Sequence, residues 1–135
     1  ITPPNQLAPG VNLAVYSRGL GSHMLPGGMD SASRFVKEVF TLHHAPTGKN
    51  ELENVTNYFH CLHAVEQQEG LDEVAPGKFE ATIYSDGINL STGTFYYTTY
   101  QNNQINAVQL HHADLNCQEL ALFPLQTEQV LHFQN

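Results

Sequence analysis

Residues 30–65 read DSASRFVKEVFTLHHAPTGKNELENVTNYFHCLHAV, and two helices are legible in them. Asp30 or Ser31 can accept the free amides of a first turn, and Ala32, Phe35, Val36, Val39 and Phe40 then fall on one side at helical spacing. The pattern predicts a first helix running to about Leu42. The stretch HHAPTGKN reads as a loop, closed by Asn50 with Glu53 three residues on, which is a capping-box spacing. Leu52, Val55, Phe59, Leu62 and Val65 make the apolar stripe of a second helix, predicted to end near Gln67 or Gly70. Each helix is apolar on one side only, so each needs a sheet or another helix as cover.

Downstream of Pro76-Gly77 the period drops to two. In KFEATIYSDG, Phe79, Ala81 and Ile83 alternate with Glu80, Thr82 and Tyr84, and Asp86-Gly87 reads as a turn. TGTFYYTTY is rich in β-formers, Asn102-Asn103 reads as a second turn, and QINAVQL as a further strand with Ile105, Ala107 or Val108, and Leu110. QELALFPL and EQVLHF predict two more short strands, with Pro124 keeping its strand from being central throughout. The fold class is therefore α+β: two helices followed by an antiparallel meander, without internal repeats. Upstream, residues 1–15 form a proline-rich arm expected to gain order only by lying on another part of the molecule or on another subunit. Residues 16–135 form the body.

At 135 residues and 41% apolar composition, one globular domain with a sizeable core is expected. No apolar run is long enough to span a membrane and no leader segment is evident, so a soluble, cytoplasmic chain is expected. Five Lys or Arg stand against thirteen Asp or Glu, a formal charge of −8, and the cations do not cluster. Nucleic acid needs a concentrated positive surface, so that partner is disfavoured. Cys61 and Cys117 form no close pair and read as reduced thiols.

Eight histidines invite a metal, in the groups His43-His44, His60-x-x-His63 and His111-His112. His60 and His63 share roughly one helix face but no carboxylate joins the two at helical ligand spacing, and adjacent histidines in a strand or loop point apart, so neither a metal nor another cofactor is expected. Neither cysteine has a base fixed beside it, and no G-x-S-x-G elbow or phosphate loop is present. Arg34 remains. It stands in the first turn of a helix, where the dipole disfavours a cation, behind a glycine-rich approach. A paired surface arginine and a residue facing a cleft both fit. If buried, it must meet an anion or several acceptors.

Three long blocks carry a resemblance: YSRGLGSHMLPGGMDSASRFVKEVFT, then NYFHCLHAVEQQEGL, then KFEATIYSDGINLSTGTFYYTTYQNNQI. Together they are similar to the C-terminal part of the choloylglycine hydrolase family, the conjugated bile salt hydrolases and penicillin V acylases. FHCLHAVEQQEGL and GTFYYTTYQNNQI resemble the bile salt hydrolases more. The resemblance implies an N-terminal nucleophile hydrolase with an αββα sandwich, a homo-oligomer, usually a tetramer, acting on a small-molecule amide. It also implies a catalytic N-terminal cysteine whose own α-amine handles the proton.

Of the family's catalytic positions, only the arginine of an S-R-F-V context falls in this chain, matching Ser33-Arg34-Phe35-Val36. The resemblance thus makes Arg34 a catalytic-site residue, with the glycines allowing a close approach to its helix. Ile1, Cys61 and Cys117 do not match the nucleophile, so the segment alone is expected to be inactive and to need the N-terminal portion of the same enzyme. That portion would be a second polypeptide, the other half of a chain nicked near Ile1, or lost through a truncated reading frame. The arm at 1–15 would then serve subunit assembly. Read without the resemblance, a helix-helix-meander domain with an acidic surface and aromatic pairs such as Tyr96-Tyr97 fits a protein-interaction module as well as an enzyme.

Overall fold

A computed structural model describes Ser22 and residues 24–135; the arm expected at 1–15 lies outside the described residues. Two helices come first, α1 (Ser31–His44) and α2 (Glu51–His63). A small hairpin follows, β1 (Glu73–Ala75) with β2 (Lys78–Phe79), and then an antiparallel sheet in the order β3 (Tyr84–Asn89), β4 (Thr94–Thr99), β5 (Asn102–Gln109). A 3-10 turn at Leu110–His112 ends the regular structure. This is the α+β order expected.

Both helix starts are set by local chemistry. Asp30 Oδ1 accepts the amides of Ala32 and Ser33, each at 3.0 Å. At α2, Asn50 Oδ1 accepts the Glu53 amide at 2.9 Å, while Glu53 Oε2 reaches back to the Lys49 amide at 2.7 Å, one residue earlier than the capping box places it. The end of α2 differs from expectation: the helix stops at His63 rather than near Gln67 or Gly70. From there the backbone turns to pair with the chain ahead of β3, the Thr82 amide donating to Gln67 O at 2.9 Å and the Gln67 amide to Thr82 Oγ1 at 2.9 Å.

α2 lies against one face of the sheet. Its Glu51 Oε1 collects three donors from that face: Asn89 Nδ2 at 2.6 Å, Tyr96 OH at 2.7 Å and Thr92 Oγ1 at 3.0 Å. The Tyr96 hydroxyl first, then Asn89 and Thr92, hold the Glu51 carboxyl below the ordinary glutamate range. The same bond pushes the Tyr96 phenol up. Two turns further along, Tyr58 OH donates to Asp86 O at 2.7 Å, with its ring over Gly87.

That ring corrects the expected turn at Asp86-Gly87. Both residues lie inside β3, paired with Tyr97 and Tyr96 of β4. The glycine is needed for close approach, since a Cβ there would sit 2.5 Å from Tyr58 Cε1. The turn falls instead at residues 90–93, where Gly93 takes φ +64. Asn102-Asn103 is likewise no turn: the chain reverses at Tyr100-Gln101, and Asn102 opens β5 at 1% exposure. Its Oδ1 accepts the Gln104 amide and its Nδ2 donates to Gln126 O, a bonding pattern that a turn tip in water does not need.

The strands expected in QELALFPL and EQVLHF do not form. No residue of 113–135 joins a ladder. The tail is held at the β4–β5 end by side chains, with Gln126 N–H donating to Tyr97 OH, Thr99 Oγ1 and Asn102 Nδ2 donating to Gln126 O, and Gln104 Nε2 donating to Val130 O. Phe59, Cys61 and Tyr97 are the buried apolar centre, whereas Phe35 of the α1 stripe is 69% exposed and Val36, Val39 and Leu42 are exposed with it. Among the described residues, this side of α1 is left largely uncovered apart from Phe40.

Two tests follow from this packing. Gly87→Ala forces Tyr58 out of place and is expected to cost about 1–3 kcal/mol in chemical unfolding, largely recovered when Tyr58→Leu is added. Because the Glu51 carboxyl titrates lower folded than unfolded, its stabilisation is present above the ordinary value of 4.5 and is lost as pH falls below it. Glu51→Gln should therefore lower Tm at pH 7 and reduce the further fall in Tm between pH 5 and pH 3.

Candidate functional site

Arg34 sits in the first turn of α1, its amide closing the first helical bond to Asp30 O at 3.0 Å. The cap beside it is anionic. Ser33 Oγ donates to Asp30 Oδ2 at 2.6 Å, and that hydroxyl first, then the backbone amides of Ser33 and Ala32, keep the Asp30 carboxyl below its ordinary range. A negative cap offsets the helix dipole that a cation at this position meets. Of the approach glycines, Gly28 is closely packed: a Cβ there would lie 2.7 Å from Asp30 Oδ2 and 2.8 Å from Ser33 Oγ, so the capping side chains would have to shift. Gly27 faces open space, and Gly19 and Gly21 lie outside the described residues.

The guanidinium is half-buried, and its Nε donates to Val65 O at 2.8 Å, joining the start of α1 to the chain just past α2. Among the described residues no carboxylate pairs with it. Arg34 also lines a cleft of about 480 Å³ whose wall includes Gln67, Phe79, Glu80, Thr82 and Ile83. Gln67 is 5% exposed. Its Nε2 donates to Met29 O at 3.1 Å and to Glu80 Oε2 at 3.4 Å, and its Oε1 is buried without a partner. Helical periodicity does not reveal Gln67, because its burial depends on the pairing with Thr82.

The other candidates lie elsewhere. Cys61 faces a separate cavity between the helices, beside Phe40, His44 and His60. Burial first, then the Glu38 carboxylate, push its thiol up. Cys117 is exposed on the tail segment. His44 stacks on Phe40 and contacts its carbonyl, His63 Nε2 lies 3.6 Å from Glu66 Oε1, and His111 and His112 share the 3-10 turn. Among the described residues no three His, Cys, Asp or Glu side chains converge. The Arg34 cleft thus offers hydrogen-bond donors and acceptors able to orient and polarise a polar group, without a thiol among its lining residues.

The sequence pattern of the linear amide C-N hydrolases, choloylglycine hydrolase family, matches residues 2–123. The chain belongs to the choloylglycine hydrolase family. Among its relatives, the bile salt hydrolase/transferase of Lactiplantibacillus plantarum is 46% identical over 127 residues, covering 94% of this chain and 39% of that protein. The bile salt hydrolase/transferase of Bifidobacterium longum subsp. longum is 33% identical over 109 residues, covering 81% of this chain and 34% of that protein. The chain therefore spans between a third and two fifths of the length of these relatives.

A crystal structure of a mutant conjugated bile acid hydrolase from Clostridium perfringens superposes with TM-score 0.77 at 28% identity, over 88% of this chain and 36% of that one. Penicillin V acylase from Agrobacterium tumefaciens shares the fold, with TM-score 0.57 at 18% identity over 73% of this chain and 31% of that one. Two helices followed by antiparallel strands are thus the family's arrangement in this region.

In this family member the two thiols should separate cleanly. Iodoacetamide at neutral pH is expected to label Cys117 in the folded protein and to reach Cys61 only on unfolding, as read by peptide mass spectrometry.

Proposed function

We propose that this chain is the C-terminal part of a conjugated bile salt hydrolase whose catalytic cysteine stands at the N-terminus of the enzyme's other portion. The observation that carries the reading is the 46% identity to a bile salt hydrolase/transferase along 94% of this chain, with Arg34 in the matched Ser33-Arg34-Phe35-Val36 context. The exposed α1 stripe and the exposed tail residues Leu120, Leu122 and Phe133 support a further portion that covers them. On this reading the enzyme is a cytoplasmic homotetramer. Among the described residues no helix is long and apolar enough to cross a membrane.

In the proposed reaction the cysteine thiol gives its proton to its own α-amine as sulfur attacks the amide carbonyl. The intermediate collapses with loss of the amine, which takes that proton, and leaves an acyl-thioester. Water then attacks the thioester, releasing the bile acid and restoring the thiol. An amine in place of water would re-form an amide. Arg34, anchored through Nε, directs its Nη donors at the negative charge that develops beside the sulfur.

The whole enzyme carrying this chain should hydrolyse glycocholate with kcat/KM about 10- to 200-fold above penicillin V. Arg34→Ala and Arg34→Lys should each lower kcat by about 10²- to 10³-fold with little change in KM. A reversed preference would assign the chain to a penicillin V acylase. A monodisperse, folded 15.0 kDa chain that finds no second portion in a denatured mass spectrum would instead support an interaction module.

A further inference from the structure

Among the described residues, the β3–β4–β5 sheet leaves its β5 edge open. Leu110 N–H donates to Gly93 O at 2.9 Å, and further along Val108 stands opposite Phe95 and Asn106 opposite Tyr97. Backbone groups alternate sides along an antiparallel strand, so Asn106 and Val108 turn theirs toward β4 while Ile105, Ala107 and Gln109 turn their N–H groups outward. Asn103 N–H also faces away from β4, and Gln129 Oε1 accepts it at 2.8 Å. Beyond that point the N–H groups of Ile105, Ala107 and Gln109, with the carbonyls of Ile105 and Ala107, form a row that no described strand pairs. The β3 edge is different. There the alternation set by Tyr100 N–H donating to Ile83 O turns the Asp86 backbone outward, and the Tyr58 hydroxyl of α2 closes the middle of the edge.

Edge strands exposed to water are ordinarily guarded by lysine, other charges, proline or brevity. β5 reads NNQINAVQ, eight residues without a charge or a proline. Beside it lies a groove of about 330 Å³ walled by Leu52 and Val55 of α2 together with Tyr96, Ile105 and Ala107 of the sheet. Leu52 is 75% exposed. A segment that paired with β5 would extend the sheet at this groove and set every second side chain on the α2 side. The edge therefore fits extended backbone with apolar side chains at alternate positions. This chain spans 39% of one bile salt hydrolase relative and 34% of another, so most of the length of those proteins lies outside it. We infer that a β-strand from the enzyme's other portion pairs with β5 over residues 105–109, making one sheet continuous across the two portions. The inference rests on the reading of this chain as part of a longer hydrolase, and it adds where the two portions join.

Amide hydrogen exchange on the whole enzyme, resolved by residue, tests it. Ile105, Ala107 and Gln109 should exchange within about tenfold of Asn106 and Val108, whose N–H groups β4 already holds. Exchange of those three near the free-peptide rate, with Asn106 and Val108 protected, would overturn the inference. Photo-cross-linking identifies the occupant, using Gln109→p-benzoylphenylalanine and, separately, Ile105→p-benzoylphenylalanine in the whole enzyme. Adducts to peptides outside residues 1–135 support the join. Adducts only to residues 1–21 or to a second copy of β5, or none from either variant, would overturn it. The exchange measurement uses the parent enzyme, so a variant that disturbs the edge does not remove the test. Neither readout uses catalysis, so a preference for penicillin V leaves both in force. A denatured mass spectrum holding this chain alone would sink the longer-hydrolase reading and the inference together, whereas open β5 amides in a longer enzyme sink the inference alone.

Discussion

One guanidinium N–H links two parts of this structure that lie 31 residues apart. Arg34 Nε reaches Val65 O and so ties the first turn of α1 to the residues where α2 gives way to extended chain. The carbonyls at the end of a helix have lost their intrahelical donors, and a cation is a favourable partner for them. Two residues further on, Gln67 begins its pairing with Thr82. The cleft thus exists because a helix ends early and an arginine from another helix takes up a carbonyl beyond its end. A longer α2, as its apolar spacing suggested, would leave no room for the Gln67–Thr82 pairing.

The parts of the fold that were legible in the sequence are those decided within a few residues. Asp30 and Asn50 accept amides two or three positions away, so their identity and spacing announce the helix starts. What failed has a common cause. Gly87 reads as a turn residue beside an aspartate, yet it is glycine because Tyr58, 29 positions earlier, needs the space of its Cβ. Asn102 reads as a turn tip, yet it binds Gln126. Alternation in 113–135 predicts strands, but a strand also needs a neighbour that offers free backbone groups, and composition does not supply one.

The same distinction separates the two residues of the cleft. Arg34 stood out because its position opposed an electrostatic preference: a cation in a first helical turn without an acidic residue there, apart from the cap itself. Family resemblance then named it. Gln67, one of a Gln-Gln pair in a polar run, carried no such conflict in the sequence. Its distinction is a buried oxygen without a donor, a property of packing. Glu51 is similar: its three donors from the sheet come from positions 38 to 45 residues away, so nothing local marked it as the bolt between α2 and the sheet.

Charge adds a constraint on how an anionic conjugate could use this cleft. The chain carries a formal −8, but at physiological ionic strength such repulsion is largely screened beyond about 8 Å, so the groups lining the cleft decide. There Arg34 and Glu80 balance each other, and the Glu80 carboxylate accepts from Gln67. A wall with no net charge gains little by attracting the anionic end of a ligand. It gains more from apolar contact, with the half-exposed Phe79 and the exposed Ile83 offering apolar surface beside it. On the proposed reading, binding at this wall follows from apolar contact and short-range polar contacts, with net electrostatic attraction contributing least.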